Sequence, residues 1–130
     1  LYPSFKAGWI PDTPTNRNEI LRRLNNWNAI CDSDPTRGVT EAITRYTDNK
    51  KRIAIWIMGD DLANNLYDDP VEAIRRVALK FNKIDDNGVP FIRIHGMAFP
   101  NNATFYPVEF QNMLRVLASE NYGAVVVESY

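Results

Sequence analysis

The chain has 130 residues, a hydrophobic fraction of 45% and a formal net charge of -1 from 15 basic and 16 acidic side chains. This length suits one domain with a substantial core, so we expect residues 1–130 to form a single domain. The balanced charge creates no overall field for nucleic acid or an anionic membrane surface. No apolar run approaches the roughly 20 residues of a membrane-spanning helix. We therefore expect neither a nucleic-acid partner nor membrane insertion.

Two helices are predicted in the first part of the chain. Asn16 and Glu19 have the spacing of a capping box, and the apolar residues that follow at helical period predict a helix over about Asn16 to Trp27. Asp34 suits an N-cap and Pro35 suits the first helical position, so a second helix is expected to begin there. The basic run over residues 50–52 closes this helix.

An almost wholly apolar run follows, from Ile53 to Met58, and leads directly to Gly59, Asp60 and Asp61. Such a run is typical of a buried strand in a parallel sheet. Ligands of open α/β sheets bind beyond the carboxyl ends of the strands, so Asp60 is the first candidate for a metal or substrate ligand.

The rest of the chain alternates helices and strands. Trp9, Trp27 and Trp56 occupy apolar or strand positions, so we expect these side chains in the core. The remaining predicted elements are a helix from Pro70 to Phe81 capped by Asp69, a strand over 91–95 ending at Gly96, a helix that begins at Pro107 and is stopped by residues 121–123, and a strand over 124–127.

This order predicts an α/β fold with parallel strands, because each pair of strands is joined by a full helix. A buried parallel sheet normally has helices on both faces and more than three strands. We therefore expect a three-layer, doubly wound, Rossmann-like sheet, with one or more central strands preceding Leu1 in a longer parent protein.

Several segments resemble the von Willebrand factor type A (VWA) domain, in its bacterial form. The segment 31–43, which contains Cys-Asp-Ser-Asp-Pro-Thr-Arg-Gly, and the segment 55–61, Ile-Trp-Ile-Met-Gly-Asp-Asp, resemble the family's second and third metal-site loops. Residues 91–100 and 114–127 are similar to its penultimate strand, last helix and last strand. The resemblance covers roughly Tyr2 to the end of the chain.

The resemblance implies a mostly parallel six-stranded sheet with a metal-ion-dependent adhesion site (MIDAS) at its carboxyl edge. Magnesium is the usual cation there, and a partner protein's carboxylate completes its coordination. Ser33 matches the coordinating hydroxyl of the second loop, with Thr36 as the competing hydroxyl, and Asp60 matches the aspartate of the third loop. The family's first loop, Asp-x-Ser-x-Ser, has no match, so a magnesium site would depend on ligands that this chain does not contain.

The expected function is therefore protein binding without catalysis. An alternative from another class is an α/β hydrolase or phosphatase that uses Asp60 as nucleophile or metal ligand and His95 as acid or base. A third reading is a structural scaffold that binds no ligand.

Overall fold

A computed structural model describes residues 8–28, 34–48, 50–62, 69–99 and 107–128 of the chain. The chain divides into two compact units, Leu1–Asp32 and Ser33–Tyr130. The elements in chain order are α1 (Pro14–Asn25), α2 (Pro35–Tyr46), β1 (Ile53–Gly59), α3 (Pro70–Phe81), β2 (Ile92–Ala98), α4 (Pro107–Glu120) and β3 (Val125–Val127). Across the described ranges, no helix is both long and apolar enough to cross a membrane.

The first unit contains α1, which begins earlier than the sequence predicts. The side chain of Thr13, and not that of Asn16, caps the helix, because the Asn16 N–H donates to Thr13 Oγ1 at 3.2 Å. Pro14 then occupies the first helical position, where its missing N–H costs no hydrogen bond. The helix ends at Asn25, two residues before the predicted end at Trp27.

The second unit contains a sheet of three parallel strands in the order β1-β2-β3. The α/β class and the parallel pairing predicted from the sequence are thereby confirmed. Ile57 on β1 is level with Gly96 on β2, which is level with Val125 on β3. The predicted end of the second strand at Gly96 is wrong, because β2 continues through this glycine to Ala98.

Three helices cover one face of this sheet. Helices α2, α3 and α4 contact one another in that order, and α2 and α4 also contact the strands. On β2 the positions facing these helices are buried, from Ile92 through Ile94 to Ala98. When all strand–helix–strand connections have the same handedness and the strand order does not reverse, their helices lie on the same face of the sheet. The second helical layer of a doubly wound sheet is not found among the described residues of this unit, so that part of the fold remains a prediction.

The opposite face of the sheet carries apolar side chains that are largely exposed. Trp56 is 50% exposed, Met58 62% and Val126 51%.

The expectation that all three tryptophans are core residues is wrong, since Trp9 and Trp27 are also exposed, by 59% and 61%. Periodicity identifies Trp56 as a strand residue, but which face of a strand is covered depends on where the helices pack.

The approach of α4 to the sheet depends on glycines. A Cβ atom at Gly96 would lie 2.8 Å from the Cβ of Leu114, and one at Gly123 would lie 1.7 Å from the carbonyl oxygen of Ile94. Leu114 is 1% exposed, and its neighbour on the same helix face, Phe110, is also 1% exposed. Side chains of α4 therefore pack directly on the backbone of β2, which explains why Gly96 lies within a strand.

A tight hairpin joins α3 to β2, with an antiparallel bridge between Ile84 and Pro90. Asp85 organises it by accepting the Val89 N–H at 2.8 Å and the Asn87 N–H at 2.9 Å. Arg52, which precedes β1, also donates to this carboxylate. The hydrogen bond from Val89 and that from Arg52 lower the pKa of Asp85.

Two glycine substitutions should change stability in opposite directions. Gly96→Ala should lower the free energy of unfolding by about 1–3 kcal/mol, because the added methyl overlaps Leu114. Gly38→Ala, in an exposed helical position with nothing within 4 Å, should raise it by about 0.5–1 kcal/mol. Urea denaturation measures both, and equal effects of the two substitutions would contradict this packing.

Asp85→Asn should remove a pH-dependent part of the stability. A carboxyl group with a lowered pKa in the folded state stabilises the fold above its unfolded pKa, and this stabilisation is lost as the pH falls. The wild type should therefore be more stable than the variant at neutral pH, and the difference should shrink below about pH 4. Urea midpoints measured at both pH values test this, and a difference that stays constant would refute it.

Candidate functional site

The carboxyl ends of the three strands form one edge of the sheet, here called the carboxyl edge. Beyond the last paired residues, the Phe99 N–H donates to the Gly59 carbonyl at 2.8 Å, and the Glu128 N–H donates to the Ala98 carbonyl at 3.0 Å. The ladder thus extends one residue past the strands. Asp60 and Glu128, the residues that follow β1 and β3, are level with one another at this edge and both are exposed.

The backbone positions that carry these two carboxylates have a defined spacing. The strands β1 and β3 are separated by β2, and neighbouring strands lie about 4.8 Å apart, so the backbones at Asp60 and Glu128 are about 10 Å apart. Glu128 was not singled out from the sequence. The signal for it was present, because Glu128 directly follows the apolar run of β3 as Asp60 follows that of β1.

The adjacent carboxylates Asp60 and Asp61 have different environments. Asp60 is exposed, whereas Asp61 is only 8% exposed. The Leu62 N–H donates to Asp61 Oδ1 at 2.7 Å, and Leu62 itself is 6% exposed. The Asp61 side chain therefore accepts a backbone hydrogen bond where the chain leaves β1, whereas the Asp60 side chain faces solvent.

Gly59 allows β1 to end close to α4. A Cβ atom at this position would lie 3.1 Å from the Cζ of Phe110, a buried residue in the first turn of α4. That distance is tighter than ordinary side-chain packing allows without a shift. The glycine before Asp60 therefore has a packing role in addition to its place in the predicted metal loop.

The start of α2 lies at the same end of the unit as Asp60. Asp34 caps the helix as predicted, accepting the Arg37 N–H at 2.8 Å, and Pro35 occupies the first turn. Since α2 contacts β1 and its last residue, Tyr46, leads into the start of β1, its N-terminus lies toward the carboxyl edge. The described start of the second-loop segment, Asp34 and Pro35, thus lies toward the same edge as Asp60.

Of the predicted hydroxyl ligands, Ser33 lies outside the described residues. The competing hydroxyl belongs to Thr36, which is 2% exposed in the first turn of α2. Burial of Thr36 removes it from the solvent-facing surface on which Asp60 lies.

The described part of the chain contains no group of three His, Cys, Asp or Glu side chains arranged to hold a metal ion. Carboxylate oxygens such as that of Asp60 are the chemistry that magnesium prefers. A single exposed carboxylate does not make a coordination shell. The predicted magnesium site therefore needs Ser33 and further ligands in addition to Asp60.

His95 is not next to Asp60. It lies within β2, level with Trp56 on β1, and the two rings stack with centroids 4.5 Å apart. Asp60 is four residues beyond Trp56, which corresponds to about 13 Å along a strand. His95 is therefore not at the end of its strand, as the predicted strand over 91–95 would have it, because β2 continues to Ala98.

The imidazole of His95 has a structural hydrogen bond. The Ala124 N–H donates to its Nδ1 atom at 3.2 Å, just before β3 begins. Because Nδ1 accepts this bond, the ring proton of the neutral imidazole is on Nε2. The geometry of the described residues thus offers no support for an acid-base pair of Asp60 and His95.

Comparison of the chain with protein-family models, with curated proteins and with solved structures finds no match. The fold defines the class of protein: an α/β protein with a three-stranded parallel sheet, compatible with a Rossmann-like architecture. The resemblance to the VWA domain stays a prediction from the loop segments.

The different environments of the two aspartates predict different costs of substitution. Asp60→Ala should change the free energy of unfolding by about 1 kcal/mol or less, because interactions of an exposed carboxylate contribute little to stability. Asp61→Ala should lower it by about 1–3 kcal/mol, because the buried Leu62 N–H loses its acceptor. Thermal or urea denaturation measures both, and a larger effect at Asp60 would reverse the assignment.

Proposed function

We propose that the chain is a protein-interaction domain of the VWA type, with its binding site at the carboxyl edge. The observation that carries the proposal is the exposed Asp60 directly after β1, at the edge toward which the start of α2 also points. This is the arrangement in which the two loop segments that resemble the family could act together.

The charge at the carboxyl edge determines which partner this surface can bind. Asp60 and Glu128 are both exposed there, so the edge by itself repels an acidic partner. A divalent cation reverses this preference, because it can accept a carboxylate as a further ligand. We therefore propose that magnesium, held by Ser33, Asp60 and ligands from outside this chain, mediates binding of a partner protein's carboxylate.

We favour binding over catalysis as the function of this site. The proposed reaction partners, Asp60 and His95, are about 13 Å apart along the strand direction, and His95 is engaged by Trp56 and by the backbone of Ala124. General acid-base catalysis requires groups within hydrogen-bonding reach of the same substrate atoms. We therefore propose a non-enzymatic role.

Magnesium binding should depend on Asp60. Isothermal titration calorimetry of the protein with MgCl₂ should give a binding heat for the wild type and a loss of at least about tenfold in affinity for Asp60→Ala, since one charged oxygen ligand is removed. Asp86→Ala is the matched control, because Asp86 is exposed in the hairpin before β2, where the strands begin.

The result is decisive in either direction. Equal affinities of the wild type and Asp60→Ala would remove Asp60 from the metal site. If neither protein binds magnesium but a partner still binds at the carboxyl edge, that partner should carry basic groups, and the metal-dependent form of the proposal fails.

A further inference from the structure

A groove of about 570 Å³ lies at the opposite edge of the second unit, where β2 and β3 begin. We call it the amino-edge groove. Its walls come from the last turns of α3, the hairpin before β2 and the end of α4. The residues that line it include Arg75, Leu79, Lys83, Ile84, Glu120 and Tyr122. This volume lies within the range of about 300–1,000 Å³ typical of ligand-binding clefts.

The walls of the amino-edge groove are unusually apolar for an exposed surface. Leu79 is 84% exposed, Ile84 67% and Tyr122 59%. Single exposed apolar side chains are common, but three large ones around a single depression form a patch of the kind found at interaction sites. Leu79 and Ile84 add little to the core of the chain, because most of their surface remains in water.

The floor of the groove is held rigidly. Asn82 donates from Nδ2 to the Ile92 carbonyl at 2.9 Å and to Asn121 Oδ1 at 3.0 Å, and it accepts the Ile92 N–H at 2.8 Å. Arg75 on α3 forms a two-pronged ion pair with Glu120 on α4, with Nε to Oε distances of 2.9 and 2.8 Å. The floor is thus in place before a ligand binds, so a ligand would not have to order this part of the groove.

Tyr122 has a backbone conformation that favours glycine. Its φ angle is 54°, in the left-handed region, and the Gly123 N–H donates to the Ala118 carbonyl at 2.8 Å. This is the pattern of a Schellman cap, whose left-handed position is usually glycine. The Tyr122 ring is mostly exposed, so packing does not offset the backbone strain. Backbone strain at Tyr122, whose side chain does not pack in the core, points to a binding role for this residue.

The charges around the groove favour an acidic ligand. Arg75 and Glu120 neutralise one another, and the remaining charged wall residue is Lys83, which is exposed. Within the described ranges, its ammonium group has no ion pair or hydrogen bond. A carboxylate bound in the groove can pair with Lys83 without displacing a partner.

We propose that the amino-edge groove docks a peptide segment of a partner protein, with a bulky apolar side chain against Leu79, Ile84 and Tyr122 and a neighbouring acidic residue paired with Lys83. The exposed walls favour a segment laid across the surface. This site is separate from the carboxyl edge, and it requires neither magnesium nor Asp60.

A displayed library of random 12-residue peptides tests the proposal. The library is selected on the wild-type chain and counter-selected on the double variant Leu79→Ser/Ile84→Ser, in which only exposed side chains change. Enriched peptides should combine a large apolar residue with an acidic one. Synthetic copies, followed by fluorescence anisotropy, should lose at least about tenfold in affinity to the double variant.

Three further variants test separate parts of the proposal. Val108→Ser changes an aliphatic residue that is 61% exposed at the start of α4, away from the groove, and should leave the affinity unchanged. Lys83→Glu should weaken binding of acidic peptides and favour peptides in which lysine replaces the acidic residue. Tyr122→Gly should raise the melting temperature, because glycine relieves the left-handed strain, and yet weaken peptide binding.

Several outcomes would overturn the proposal. The first is a selection in which no peptide is enriched on the wild type relative to the double variant. The second is that enriched peptides bind Lys83→Glu as tightly as the wild type. The third is sedimentation that shows a self-associated chain, which Leu79→Ser dissociates. Binding that EDTA or Asp60→Ala abolishes would assign the peptide to the carboxyl edge instead. Peptide binding that survives both, while magnesium binding is absent, would support this groove independently of the proposed metal site.

Discussion

Close packing of α4 on the backbone of β2 is the constraint on which the rest of the second unit depends. Leu114 packs against Gly96, and the backbone around Gly123 packs against the Ile94 carbonyl, leaving no room for a Cβ atom at either glycine. The same helix places Phe110 beneath Gly59, at the end of β1. The position of α4 thus sets both the carboxyl edge, through β1, and the amino-edge groove, through its own last turn.

One consequence is a sheet with unequal faces. Helices α2, α3 and α4 cover one face, while Trp56, Met58 and Val126 lie largely exposed on the other. Parallel sheets usually have both faces covered. In the described part of the unit, no element covers this second, apolar face. The stack of Trp56 on His95 shields part of it and fixes the imidazole away from Asp60.

A second consequence is that the two edges of the sheet differ chemically. The carboxyl edge presents Asp60 and Glu128, and it suits a cation or a basic partner. The amino edge presents an apolar groove with Lys83 at its wall, and it suits an acidic, apolar peptide. Because about 20 Å of strand separates them, ligands at the two edges need not compete.

The sequence alone determined the order of the elements, because capping residues such as Asp34 and Asp69 and the apolar periods are local signals. It also placed Asp60 at the end of a parallel strand. Tertiary structure alone decided that Trp56 is exposed, that β2 continues through Gly96, and that the walls of the amino-edge groove come together. These features depend on which helix packs on which face, and contacts between residues distant in the chain leave no periodic signal in the sequence.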